Sequence, residues 1–142
     1  MIVLDANILL YAFDSSSPRH DAARRWLEAA LGGAEVVGFP LVTLLAFVRI
    51  GSDPRVFTAP LEATEAIAIV QEWLERGNTR LVQPTSQHWA VFAETVEAGR
   101  ARGPTVTDAH LAALAKEHGA RLCTTDRDFA RFPGGETIDP TA

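Results

Sequence analysis

The sequence is poor in several residue types at once, and each shortage excludes something. It has one cysteine, Cys123, so no internal disulfide can form. Cys123 stands in an apolar run and reads as a small core residue, not a nucleophile, in keeping with a reducing compartment. Lys116 is the only lysine, and the net charge is −5, so the chain does not coat nucleic acid by bulk positive charge. A nuclease stays open, because carboxylates that hold metal ions are acidic in sequence and the bound cations restore the local sign. The four histidines show no metal-ligand spacing. No apolar run is long enough to span a membrane. The apolar start has no basic lead and is broken by Asp5, which makes a poor signal peptide, and a cytoplasmic protein is expected. There is no low-complexity tract and no fixed-period repeat.

What remains is an ordinary globular composition, 47% apolar and 22% charged over 142 residues. That length suits one domain, 1–142, with a real core. The most telling stretch is the first. Ile2 to Leu4 is a short unbroken apolar run, as in a strand buried on both faces, and it ends at Asp5, with Asn7 two residues on. A buried strand that ends in a carboxylate delivers it to the edge where open α/β sheets bind ligands.

Further along, helices are expected over 6–13, from the Ser17-Pro18 start signal to Gly32-Gly33, over 41–50, from Pro60 to Arg76, from a cap at Ser86, and over 106–118. Ala23, Trp26, Leu27, Ala30 and Leu31 recur at helical spacing, and so do Trp89, Phe92, Ala93 and Val96. Trp73 and Trp89 fall in such stripes and read as core or interface residues. Strands are expected at 35–39, 80–83, 121–125 and 136–138, with a helical turn or two over 126–132. Strands alternating with helices imply an α/β fold: a three-layer α/β/α sandwich around a short central parallel sheet.

Asp5 and Asp126 each end a predicted strand, and each alone is a good helix N-cap. Asp108 opens a helix that leads into the fourth strand. Taken alone, Thr105-Val-Thr-Asp108 has the spacing of a capping box. A helix feeding a parallel strand starts near the carboxyl edge, however, so all three carboxylates are expected to converge there. Carboxylates without His or Cys partners suit Mg²⁺ or Mn²⁺ and point to metal-assisted phosphodiester or phosphate hydrolysis.

The blocks Met1-Ile-Val-Leu-Asp-Ala-Asn-Ile-Leu-Leu10, Val106-Thr-Asp-Ala-His-Leu-Ala-Ala-Leu-Ala115 and Cys123-Thr-Thr-Asp-Arg-Asp-Phe129 resemble, in this order, the signature blocks of PIN-domain ribonucleases, and more narrowly of VapC toxins from bacterial toxin–antitoxin pairs. The resemblance spans nearly the whole chain. It implies a PIN-like fold and a Mg²⁺- or Mn²⁺-dependent endoribonuclease that cuts cellular RNA. It further implies a cognate antitoxin that blocks the site and a homodimer. It places metal ligands at Asp5, Asp108 and Asp126, an orienting amide at Asn7 and a hydroxyl at Thr125. One departure stands out. Many relatives carry a Glu in the helix after the second strand, and here Ala46 takes that place, give or take one residue. Asp128 is a candidate substitute, although a solvated first-turn charge is the simpler reading. One ion, or a second brought in with RNA phosphate, is then expected.

Arg49 and Arg55, and Arg100 and Arg102 in the loop before Asp108, are candidates for RNA phosphate contacts. His110 stands two positions from Asp108, so it faces elsewhere and reads as no ligand. Two other classes compete with the nuclease. One is a PIN-fold protein that binds antitoxin or RNA without cutting. The other is a phosphatase with Asp5 as nucleophile, which would want an acid where Asn7 stands.

Overall fold

The computed structural model describes all 142 residues. The first strand, β1 (Ile2–Leu4), lies at the centre of a five-stranded, all-parallel sheet. It is joined by β2 (Val37–Pro40), β3 (Thr79–Val82), β4 (Arg121–Cys123) and β5 (Thr137–Ile138), in the order β3-β2-β1-β4-β5. Ile2 pairs with Val37 on one side and Arg121 on the other. The central position explains the unbroken apolar run, because both faces of β1 are covered.

The covering layers differ. Ile2 and Leu4 point into a core built with α1 (Ala6–Phe13), α2 (His20–Leu31), α3 (Leu41–Gly51) and α4 (Ala63–Leu74). Val3, one residue out of phase, points into a second core built with α5 (His88–Gly99) and α6 (Thr105–Glu117) and with Phe129 and Phe132. This alternation is the strand period of two, and it makes the three-layer α/β/α sandwich. Leu4, Ile8, Leu9 and Phe47 are fully buried. Each contributes roughly 1.5–3 kcal/mol by leaving water. Trp73 belongs to this interior, stacked 5.8 Å from Phe39 and tilted 5.0 Å from Phe47. Two glycines permit close approach. A Cβ on Gly38 would meet Val82 at 2.5 Å, and one on Gly99 would meet Phe132 at 2.4 Å.

Helix starts differ from the sequence expectation because polar groups there serve turns instead. Ser17 accepts from the Arg19 N–H, and its carbonyl accepts from His20, so α2 begins at His20 and not at Pro18. Glu65 accepts from the Glu62 N–H, which starts α4 at Ala63, three residues after Pro60. Ser86 caps nothing, and α5 starts after Gln87. The segment after β4 is one 3-10 helix, Arg127–Arg131. The stripe expected to bury α5 is also rotated: Thr95 and Gly99 are buried, whereas Trp89 is 77% exposed. No helix is long and apolar enough to cross a membrane.

Candidate active site

Asp5 leaves β1 in an extended conformation and caps α1, its Oδ1 accepting from the Ala6 N–H at 2.7 Å. Its Oδ2 accepts from the hydroxyl of Thr124, the residue after β4, also at 2.7 Å. That hydroxyl is buried and accepts in turn from the Asp126 N–H at 3.0 Å and, more weakly, from the Asn7 amide at 3.4 Å. One oxygen therefore ties together the ends of two neighbouring strands. The hydroxyl anticipated at Thr125 is supplied one residue earlier. Thr125 is half-buried and makes no side-chain hydrogen bond to the cluster.

Asp126 caps the 3-10 helix, its Oδ1 accepting from the Asp128 N–H at 2.9 Å. Asp128 itself is exposed. Asp108 lies in the first turn of α6 but does not cap it. The helix starts at Thr105, whose hydroxyl is occupied by the Arg102 backbone, at 2.8 Å from the N–H and 2.9 Å from the carbonyl. Asp108 is left half-buried, with no hydrogen bond and no ion pair to account for it.

The carboxylates act on one another. Burial pushes the Asp5 carboxyl above its usual range, against the pull of the Thr124 and Ala6 hydrogen bonds, and the charge of Asp126 pushes it further. Asp108 is also raised, first by burial, then by Asp126, Asp5 and Asp128, with Arg131 opposing. The structure thus brings Asp5, Asp108 and Asp126 into one electrostatic cluster and sets Asp128 at its margin. Arg131, which the sequence did not single out, is the cation that Asp108 senses. Arg49, Arg55, Arg100 and Arg102 are all exposed. Arg55 is forked onto Asp53, 3.2 and 3.1 Å away.

Two further groups border the cluster. Thr43 of α3 is buried and donates to the Leu4 carbonyl at 2.7 Å, which fixes α3 against the residue before Asp5. Ala46, where an acid was sought, lies three positions on along the same helix, so α3 brings a hydroxyl and no carboxylate. Asn7 carries the only buried side-chain polar atom that lacks a partner, its Oδ1. Such an orphan costs about 1–3 kcal/mol.

No three His, Cys, Asp or Glu side chains stand close enough to enclose an ion by themselves. The donor set nevertheless fits a hard divalent cation. It offers carboxylate oxygens that repel one another, none of them ion-paired, beside an unsatisfied amide oxygen. Mg²⁺ keeps several waters and takes one or two protein carboxylates, so an open arrangement suits it.

Residues 2–135 match the PIN domain family model. The chain is 43% identical, over all 142 residues and 99% of the relative, to Ribonuclease VapC37 of Mycobacterium tuberculosis. In fold it is similar to VapBC2 from Rickettsia felis bound to a promoter DNA fragment, with a TM-score of 0.69 at 17% identity over 97% of this chain and 98% of that one. It is also similar to a toxin–antitoxin complex from Klebsiella pneumoniae, with a TM-score of 0.65 at 18% identity over 99% and 98%.

Proposed function

Since the chain belongs to the PIN-domain family, in its VapC ribonuclease group, we propose that it is a metal-dependent endoribonuclease, the toxin of a type II toxin–antitoxin pair, acting in the cytoplasm on phosphodiester bonds of cellular RNA. The observation that carries this reading is the raising of Asp5 by burial and Asp126, and of Asp108 by burial, Asp126 and Asp5, at the carboxyl edge of a parallel sheet, with no basic side chain paired to any of them. Like charges gathered without a partner cost stability unless a cation accompanies them.

Asp5, Asp108 and Asp126 would hold Mg²⁺ or Mn²⁺. Such an ion supplies polarisation of a phosphoryl oxygen and acidification of a water. The remaining work falls to the chain itself. Thr124 holds the Asp5 carboxylate in one orientation and ties it to the Asp126 backbone. Asn7 Oδ1 is an acceptor with nothing yet to accept, suited to orienting a water. Arg131 lies near enough to be felt by Asp108 and suits a phosphate oxygen.

A cognate antitoxin that covers this edge, and a second copy of the chain, complete the reading. Kinship to a toxin–antitoxin complex supports the first of these. Ala46 favours a second reading, a PIN-fold protein of weak or absent turnover that acts by binding. One experiment separates the two: antitoxin-free protein is incubated with total cellular RNA in Mg²⁺, in Mn²⁺ and in EDTA, beside Asp108→Asn. Discrete metal-dependent fragments that are missing with the variant establish the endoribonuclease. An absence of both cleavage and metal binding favours the binding protein.

A further inference from the structure

A second polar array lies outside the carboxylate cluster. Glu117, at the end of α6, is buried, with a side chain 2% exposed. Its Oε1 accepts from the Thr85 N–H at 2.9 Å, and its Oε2 meets His88 Nδ1 at 2.7 Å. His88 Nε2 meets His110 Nδ1 at 2.9 Å. An ionised carboxylate only accepts, so the proton between Glu117 and His88 sits on Nδ1. His110 Nε2 stands at the outer end of this chain of contacts. That atom has no protein partner, yet it is not among the atoms buried without one, so it is open to solvent. Glu117 and His88 thus fix the orientation of the His110 ring and of its one free nitrogen.

His110 borders a shallow, open cleft of about 410 Å³ between α5 and α6, lined also by Val42 of α3. Its other walls are Trp89, Phe92 and Val106. Trp89 is 77% exposed and held at 5.4 Å and 42° to Phe92, which in turn stacks on His88 at 6.0 Å. A large ring is therefore presented to water with Phe92 packed against it. The cleft begins at Val106 and Thr107, the two residues before Asp108. The cleft and Asp108 therefore share the first turns of α6.

We propose that this cleft takes an unpaired nucleobase of the RNA strand, stacked on Trp89 with its polar edge at His110 Nε2. The proposal rests on the ribonuclease reading and adds to it where a base beside the cut is held. An aromatic platform with one oriented polar atom is how single-stranded bases are gripped. No cation lines the cleft, so it suits a base and not a phosphate.

The test measures the affinity of labelled hexaadenylate in EDTA, with an abasic oligomer of equal length as comparison. Trp89→Ala is expected to weaken binding about tenfold, the effect of losing one stacked base. Trp89→Phe retains a ring and should stay within about threefold of wild type. His110→Asn keeps a hydrogen-bond partner for His88 but lacks the free nitrogen, and about fivefold weaker binding is expected with an unchanged melting temperature. The abasic oligomer should bind wild type no better than hexaadenylate binds Trp89→Ala. Equal affinity of Trp89→Ala and wild type, while wild type still cleaves cellular RNA, overturns the base site and leaves the ribonuclease intact. Binding through Trp89 without cleavage of any cellular RNA supports the site and counts against the ribonuclease. Loss of self-association in Trp89→Ala, with hexaadenylate affinity unchanged, overturns the proposal in favour of a contact between copies of this chain.

Discussion

The Thr124 hydroxyl donates to Asp5 Oδ2 at 2.7 Å while accepting from the Asp126 N–H at 3.0 Å, so one side chain sets the positions of two site carboxylates. Thr124→Val keeps the volume and removes both bonds. The Asp5 carboxyl should then titrate higher still, since Thr124 is the main influence that lowers it. Loss of a bond that orients a metal ligand commonly costs 10- to 100-fold in metal affinity or activity, and a drop of about that size in RNA cleavage is expected. The half-buried Asp126 N–H left unpaired costs about 1 kcal/mol of stability, read by denaturant unfolding. Thr124→Ser restores the hydroxyl and should recover most of the activity. If Val is tolerated without loss, Thr124 positions nothing.

Asp108 gives a prediction with a definite sign. Its folded-state pKa lies above 3.8, raised by burial and by three neighbouring carboxylates. A carboxyl raised on folding keeps its proton to higher pH in the folded state than in the unfolded chain. Stability therefore falls as pH rises from just below 3.8 through the folded value, and the deficit persists at neutral pH. Asp108→Asn removes that deficit. At pH 7 without divalent ions the variant should melt above wild type, by a few degrees at most, since the group is only half-buried and solvent screens it. Added Mg²⁺ should reverse the order by stabilising wild type through binding. A variant that melts lower than wild type in EDTA would contradict the repulsion.

Ala46 lies on the same side of α3 as Thr43, three positions away, and Thr43 touches the carbonyl before Asp5. Ala46→Glu should therefore point a fourth carboxylate towards the cluster. Without metal, the added charge is expected to lower the melting temperature. With Mg²⁺ or Mn²⁺ the loss should reverse, and half-maximal cleavage should need several-fold less metal, because charge count sets affinity at oxygen-ligand sites. Calorimetric titration of both proteins would show the change. Unchanged metal affinity would mean that Ala46 faces away from the ions.

Much of this was legible in the sequence, for reasons that can be named. The alternation of apolar strands and helical stripes fixed the element order, and an apolar run ending in Asp5 located the carboxyl edge of the central strand. The place of Asp108 in the first turn of the helix before β4 followed from the helical pattern. The rest was lost where one residue of phase matters. Of the adjacent hydroxyls of Thr124 and Thr125, the one that turns inward depends on how the chain leaves β4, and a shift of one position reverses the face. The capping-box spacing at Thr105 misled because that hydroxyl had a nearer partner in the Arg102 backbone. Trp89 fitted a helical stripe, yet α5 turns Thr95 and Gly99 inward, Gly99 against Phe132, and leaves the ring outside. The array of His88, His110 and Glu117 joins residues 22 and 29 positions apart and leaves no local signal.

Cys123 makes the lone thiol of the chain a probe of its centre. It is the last residue of β4, fully buried, and paired in register with Leu4 immediately before Asp5. Burial pushes the thiol up to about 12, with Asp139 and Asp5 adding to the effect. The thiolate is the reacting species, so at pH 8 native protein should be inert to a disulfide reagent that labels free cysteine within minutes. Labelling then requires opening of the sheet, and its rate at low denaturant reports how often β1 and β4 separate. Mg²⁺ should slow that rate in wild type and not in Asp108→Asn, because an ion held between Asp5, Asp108 and Asp126 joins the ends of the same two strands. Equal protection with and without Mg²⁺ would count against metal binding at this edge, whatever the activity shows.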